Sequence, residues 1–342
     1  MIKKIFLFVS LFVFANGYNA QNIHFSQYEA PQTFLNPALT GQFLGDWRVG
    51  GSIREQWRSV SDPYKSLIGF YDRHIYHYNQ TLNAGIIYLH DESGRAKLTS
   101  DKIYISLAYP IQRGRSTISI GVQPGIVMKY YDESQLTYPS QYDNSTGHFN
   151  PDQPNNENAQ DNRHIVYFDF NAGLYWKYNL PKFKPALGFA IFHITTPNES
   201  FSKTLDRSYQ SRLSTRQVIH GNAEFALKRK LYLKPSFAYH DQNTVNMFLI
   251  GSDFGKRFTK KESPIKEVFM GIYVRNGYNR NTDAIIPLFG FQFQNWRFGW
   301  SYDINISDLK VATESQGAFE LSIIYTAPSS LPKHTTIPCE RY

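Results

Sequence analysis

Between Trp296 and Ile306 the chain alternates without a break. Trp296, Phe298, Trp300, Tyr302, Ile304 and Ile306 fall on one face, and Arg297, Gly299, Ser301, Asp303 and Asn305 on the other. A period of two sends successive side chains to opposite sides of a sheet, so this window reads as a strand with one apolar and one polar face. The split recurs where Phe319, Leu321, Ile323 and Tyr325 oppose Glu320, Ser322 and Thr326. It recurs with Val268, Met270, Ile272 and Val274, and with Ile103, Ile105, Leu107 and Tyr109. A helix would need apolar residues three and four apart, a spacing these windows lack. The pattern predicts about fourteen strands, over 47–58, 64–74, 81–91, 102–112, 116–130, 165–177, 184–196, 212–227, 231–241, 245–257, 266–276, 284–294, 296–307 and 316–326.

The connections between these strands alternate in length. Counted from the first, the even ones are mostly tight: Gln112-Arg113-Gly114-Arg115, Asn179-Leu180-Pro181-Lys182, Lys228-Arg229-Lys230 and the step at Asn295. The odd ones are mostly longer, as at 91–101, 131–164, 197–211, 276–283 and 308–315. Short turns on one rim and long loops on the other are the mark of an outer-membrane barrel whose short side is periplasmic. A soluble sandwich has no reason to segregate its loops. Aromatic residues make up 16% of the chain and charged ones only 19%, and mean hydropathy is −0.43. That balance suits an apolar outside around a polar inside, and not a bundle of membrane helices. The expected fold is all-β, a transmembrane antiparallel β-barrel over residues 47–326.

The first residues read as an export signal. Lys3 and Lys4 precede an apolar run from Ile5 to Ala15, and small residues follow. That run is too short to span a bilayer, which takes about twenty residues. A cleaved leader over 1–20 is expected, with the cut after Gly17 or Ala20, and the outer membrane as destination. The one cysteine, Cys339, excludes an internal disulfide framework and any multi-cysteine metal site.

Charge is distributed unevenly. The connections 113–115, 177–184, 228–230 and 256–266 carry net charges of +2, +3, +3 and +4. Arg113, Arg115, Lys228, Arg229, Lys230, Lys256, Arg257, Lys260 and Lys261 are therefore expected to form a basic periplasmic rim. It would suit either anionic outer-membrane lipid headgroups or an acidic periplasmic partner. Nucleic acid is not expected, because the leader exports the chain away from it. The long loop 131–164 is acidic, with six acids against Arg163.

Two segments lie outside the ladder. Residues 21–46 contain Pro31, Pro37 and Gly41 and read as irregular or briefly helical. A stretch of this size could plug the lumen or close its periplasmic mouth. Residues 327–342 are expected to form a periplasmic tail. Within the strands, Pro124-Gly125 reads as a kink or bulge of the wall and Pro287 as another irregular point, since proline cannot donate to the ladder.

No catalytic constellation emerges. There is no Gly-x-Ser-x-Gly elbow and no glycine-rich phosphate loop leading into a helix. In His90-Asp91 and His240-Asp241 the partners are strand neighbours, which point to opposite faces. Asp143-Asn144-Ser145 and Asp152 match no known cation loop. A protein that is not an enzyme and has no cofactor is expected.

Phe25-Ser26-Gln27-Tyr28 and Leu35-Asn36-Pro37-Ala38-Leu39-Thr40-Gly41 resemble the PorP/SprF family of outer-membrane proteins of the Bacteroidetes type IX secretion system. The likeness continues through Arg54-Glu55-Gln56-Trp57, Ser301-Tyr302-Asp303-Ile304-Asn305-Ile306-Ser307-Asp308-Leu309 and Gly317-Ala318-Phe319-Glu320. At the end, Pro338-Cys339-Glu340-Arg341-Tyr342 looks like the family's Cys-Pro-Arg-aromatic ending with Glu340 in place of the proline. The resemblance implies a fourteen-stranded barrel of the fatty-acid-transporter type that acts in secretion. It also implies partners: the C-terminal domain of a secreted gliding adhesin, and translocon or periplasmic ring proteins. Phe25, Tyr28, Asn36, Pro37 and Gly41 become the candidate plug or partner-binding signature. The structural alternative is that Pro37 and Gly41 only shape a turn below the first strand. The alternative function is a passive channel or hydrophobic-ligand transporter, which the inward polarity of Arg297, Asp303 and Asn305 argues against.

Overall fold

The structure is a computed structural model that describes residues 23–58, 62–77, 80–94, 96–132, 136–150, 152–153, 164–201, 211–243, 245–258, 263–277, 282–307 and 310–330. The leader, Lys260, Lys261, the centre of the acidic loop at 154–156 and the ending around Cys339 lie outside the described residues. No described helix is long and apolar enough to cross a membrane.

Fourteen antiparallel strands close into a barrel. In chain order they are β1 (Trp47–Gln56), β2 (Tyr64–His77), β3 (Gln80–Ser93), β4 (Leu98–Arg113), β5 (Ser116–Tyr130), β6 (His164–Tyr178), β7 (Phe183–Phe192), β8 (Arg216–Ala226), β9 (Leu231–Gln242), β10 (Val245–Arg257), β11 (Ile265–Gly277), β12 (Thr282–Phe293), β13 (Trp296–Asn305) and β14 (Gln316–Thr326). Each pairs with its sequence neighbour, and β1 closes on β14 in a register running from Arg48–Thr326 to Gln56–Ala318. Closure leaves no strand edge, which a wall in hydrocarbon requires because unpaired backbone groups there have no water to bond.

The apolar face of each strand points outward. Ile272, Val166, Met270 and Ile105 are more than half exposed, as lipid-facing residues are. On β13, Tyr302 and Ile304 face out, while Ser301, Asp303 and Asn305 are buried inside. Both barrel ends leave from the rim bearing the connections 78–79, 114–115, 179–182, 227–230, 258–264 and 294–295. Trp47, Tyr325 and Trp296 cluster at that rim, with ring centroids 5.3 and 4.9 Å apart. The opposite rim bears the long loops 131–163 and 193–215, as well as the two-residue turn 243–244. The first rim is thus the one that loop length predicts to be periplasmic.

The expected bulge at Pro124-Gly125 is absent. Tyr104 pairs with Gly125 and Leu107 with Val122, so the register is the same on both sides of the proline. Pro287 and Pro235 behave alike, with one unchanged register on either side of each break. Each proline only interrupts the ladder locally, because its missing N–H removes a bond without inserting a residue. The wall instead bends at His193, whose φ is 59°. Ala172 pairs with Ile191, but Ile194 N donates to Phe170 O, a shift of one residue. Phe192 and His193 consequently both point inward and are buried.

Candidate functional site

The lumen is filled by the segment between Ile23 and Asp46. It turns at Ser26–Gln27, makes one α-helical turn, α1 (Gln32–Leu35), then a 3-10 turn over Pro37–Leu39, and reaches β1. Its local form follows from sequence. A residue before proline is disfavoured in the helical region, and Asn36 accordingly ends α1 in an extended conformation, φ −158° and ψ 125°. Asn36 then caps the following turn, its Oδ1 accepting from Ala38 N at 2.9 Å while Pro37 occupies the first position. Gly41, at φ 71°, exits in the left-handed region that favours glycine.

Asn36 is also the deepest anchor of the plug. It is fully buried, and its Nδ2 donates to Leu174 O at 2.9 Å and lies 3.1 Å from His220 Nε2. The wall makes room for it. A Cβ on Gly173 would stand 2.0 Å from Asn36 Oδ1, and one on Gly121 would stand 2.4 Å from Ala38 N. Both strands carry glycine where the plug backbone passes, so the seat is cut into the wall.

A second anchor joins residues that are far apart in sequence. Glu320 accepts from Ser26 N at 2.6 Å and Gln27 N at 2.8 Å, and pairs with Arg54. Asp303 accepts from Ser26 Oγ at 3.0 Å, from Arg54 at 2.9 Å and from Arg275 at 2.7 Å. Arg54, Asp303 and Glu320 are almost wholly buried. Buried charges are tolerated only when paired and hydrogen-bonded; the wall supplies the ion pairs, and the plug adds the hydrogen bonds from Ser26 and Gln27. A third anchor lies lower: Gly41 N donates to Asp72 Oδ2 at 2.8 Å, and Arg48 joins Asp72 to Gln32.

The candidate signature residues thus all lie in the plug. Phe25 packs edge-on against Phe34 at 5.8 Å, and Tyr28 against Tyr273 at 6.2 Å. Pro37 and Gly41 do shape turns, but they also meet the wall at Gly121 and Asp72. None of the five is presented at an outer surface. The rim residues Arg113, Arg115, Lys228, Arg229, Lys230 and Lys256 are exposed at the end of the barrel that carries the short turns. Arg257 differs from the rest. It turns toward the lumen mouth and pairs with Glu224 at 2.6 Å and Glu267 at 3.3 Å. The sequence does not mark Asp72, Asp303, Glu320, Gly121 and Gly173, which hold the plug, as site residues, since their role depends on a segment distant in sequence.

At the opposite end a loop is tied to the wall. Glu199 pairs with Lys129 at 2.6 Å and accepts from the Tyr167 hydroxyl. Burial pushes the Glu199 carboxyl up, but Lys129 and Tyr167 outweigh it and hold the group below its ordinary value. The loop also communicates with the plug through bonds. His193 N donates to Asn171, Asn171 to Gln123, and Gln123 to Thr33 O of the plug.

Below the plug a cavity of about 280 Å³ opens toward the periplasmic rim, lined among others by Tyr28, Glu29, Lys234, Asp253, Glu267 and Arg297. Its walls are charged, with Glu29 against Lys234 and Glu267 against Arg297. Such a lining disfavours a bare hydrocarbon, which offers nothing to groups that need hydrogen bonds.

No curated protein matches the sequence. Among solved structures, the toluene transporter TbuX of Ralstonia pickettii is 9% identical with a TM-score of 0.50, over 86% of this chain and 92% of that one. The CymD monoaromatic hydrocarbon channel is 11% identical with a TM-score of 0.47, over 88% and 94%. At such identity the likeness to TbuX is one of fold, an outer-membrane barrel. The model of the type IX secretion system membrane protein PorP/SprF matches residues 17–325. With a closed fourteen-stranded barrel, a lumen filled by the Phe25–Gly41 segment and this match over nearly its whole length, the chain belongs to the PorP/SprF family.

Proposed function

We propose that this outer-membrane protein is a non-enzymatic component of the type IX secretion system. It supports export and surface attachment of secreted, gliding-type adhesins by receiving their C-terminal domain. The observation that carries this reading is the plug, keyed into wall glycines and buried ion pairs. A barrel whose lumen is occupied by its own chain suits docking better than diffusion of solutes. The loops around Glu199 and 131–164 offer an outer surface for the adhesin domain. The exposed basic rim, from Arg113 to Lys256, faces translocon or periplasmic ring proteins and the anionic headgroups of outer-membrane lipids. A leader over residues 1–20, cleaved on export, completes the reading.

Affinity purification from mild detergent extracts of the native host tests it. Co-purification of an adhesin C-terminal domain together with a translocon or ring protein is the expected result. A barrel recovered intact but with none of these overturns the assignment.

A further inference from the structure

The basic side chains lining the periplasmic cavity are each committed to an acid. Lys234 pairs with Glu29, Arg297 with Glu267 at 2.8 Å, Arg257 with Glu224 at 2.6 Å, and Arg48 with Asp72 at 2.8 Å. Asp253 lines the same cavity and has no ion-pair partner among the described residues. Its one hydrogen bond there is from the Tyr273 hydroxyl, at 2.8 Å to Oδ1. Asp253 as a whole is only 6% exposed, so water compensates it poorly. Beside it the plug contributes Tyr28, 7% exposed, whose hydroxyl oxygen is buried without a hydrogen-bond partner. Asp253, with no ion pair, and Tyr28, whose hydroxyl lacks a hydrogen bond, thus both line one cavity. Orphaned buried groups of this kind cost free energy unless a ligand completes them.

We propose that this cavity is a binding site for a lysine or arginine side chain carried on a projecting segment of a periplasmic protein. The cation would pair with Asp253 and donate to the Tyr28 hydroxyl oxygen. An anion would be repelled by Asp253, and the lining cations are already paired. A cavity of about 280 Å³ admits one side chain with a short stretch of backbone and not a folded domain. The inference rests on the barrel and its orientation and is independent of the secretion reading.

The test uses the purified full-length barrel in detergent and an end-blocked, fluorescently labelled Gly-Ser-Lys-Ser-Gly peptide, followed by anisotropy. The lysine peptide should bind at least tenfold more tightly than its norleucine and glutamate counterparts. Asp253→Asn should abolish that preference. Tyr28→Phe, which deletes an unpartnered hydroxyl and leaves the fold intact, should weaken binding several-fold. Heat-shifted gel mobility confirms that each variant is a barrel. Equal binding of the lysine and norleucine peptides, or unchanged binding in Asp253→Asn, overturns the site. Equal affinity for n-butylamine overturns the peptide source. Binding seen only after truncation at Ser330 assigns the site to this chain's own tail and overturns the external partner.

Discussion

Asn36 Nδ2 and His220 Nε2 stand 3.1 Å apart across 184 residues of sequence. The contact joins the plug to the barrel wall, beside two backbone carbonyls that the same amide reaches. It makes one side chain responsible both for capping the Pro37–Leu39 turn and for seating that turn in a membrane barrel.

Replacing Asn36 with alanine removes those bonds and leaves buried acceptors unsatisfied, at about 1–3 kcal/mol for each such group. The barrel wall does not need Asn36 for its own ladder. Asn36→Ala should therefore retain heat-modifiable gel mobility, while hydrogen exchange over 25–41 rises by at least tenfold. Loss of the folded barrel in this variant would contradict a seat specific to the plug.

The same phenotype should arise from the wall. A Cβ on Gly121 would lie 2.4 Å from Ala38 N and from Pro37 C, both backbone atoms that cannot swing aside. Overpacking of this kind costs about 1–3 kcal/mol or more. Gly121→Val should expose the plug to protease without breaking the strand pairing. An unchanged digestion pattern would show that the segment docks elsewhere.

Arg54 faces both Asp303 and Glu320 in a nearly solvent-free site. Arg54→Met strands the buried Glu320 carboxylate, while Asp303 keeps Arg275, and removing one partner of a buried pair costs about 3–5 kcal/mol. Urea denaturation in liposomes should show that loss. Adding Glu320→Gln to Arg54→Met should recover part of it, because the uncompensated charge is then gone.

The plug should also set conductance. The intact chain, reconstituted in planar bilayers, is expected to pass little current. Deleting residues 24–42 should raise conductance by at least an order of magnitude, since the plug fills the lumen. Equal currents from the two proteins would show that the lumen is open beside the plug.

Acid should release the outer loop. Lys129 and Tyr167 hold the Glu199 carboxyl below its ordinary value of about 4.3. A depressed carboxylate contributes stability that is fully present above its unfolded pKa and is lost as pH falls through the folded one. Backbone exchange at 194–201, corrected for intrinsic rates, should therefore stay slow at pH 6 and accelerate below about pH 4. In Glu199→Gln it should be fast at both. A loop equally protected at both pH values would rule out the Lys129 pair as its anchor.

Much of this architecture is legible in the sequence, because a strand's facing pattern is local. Alternation at Trp296–Ile306 and in its counterparts marks fourteen strands, and most boundaries agree within a few residues. Connection length then gives the sidedness. Two features do not follow from a local pattern. Pro124 looks like a bulge, yet a missing N–H costs only a bond and leaves the register alone. Arg257 reads as part of a basic rim, and its pairing with Glu224, two strands away, and with Glu267, on the adjacent strand, is something no local pattern shows.

By itself, then, the sequence determined a barrel, its strand count and the turn chemistry of Asn36-Pro37, all governed by residues a few positions apart. Only the tertiary structure decided what the plug touches. Ser26, Arg54, Asp303 and Glu320 lie in four separate stretches, and nothing local tells which carboxylate receives which donor. Closure of β1 on β14 brings Arg54 opposite Glu320, and the plug then completes the set. Charges that would be intolerable alone in a sealed lumen become the lock that holds the plug, because burial makes an unpaired charge costly and a paired one selective.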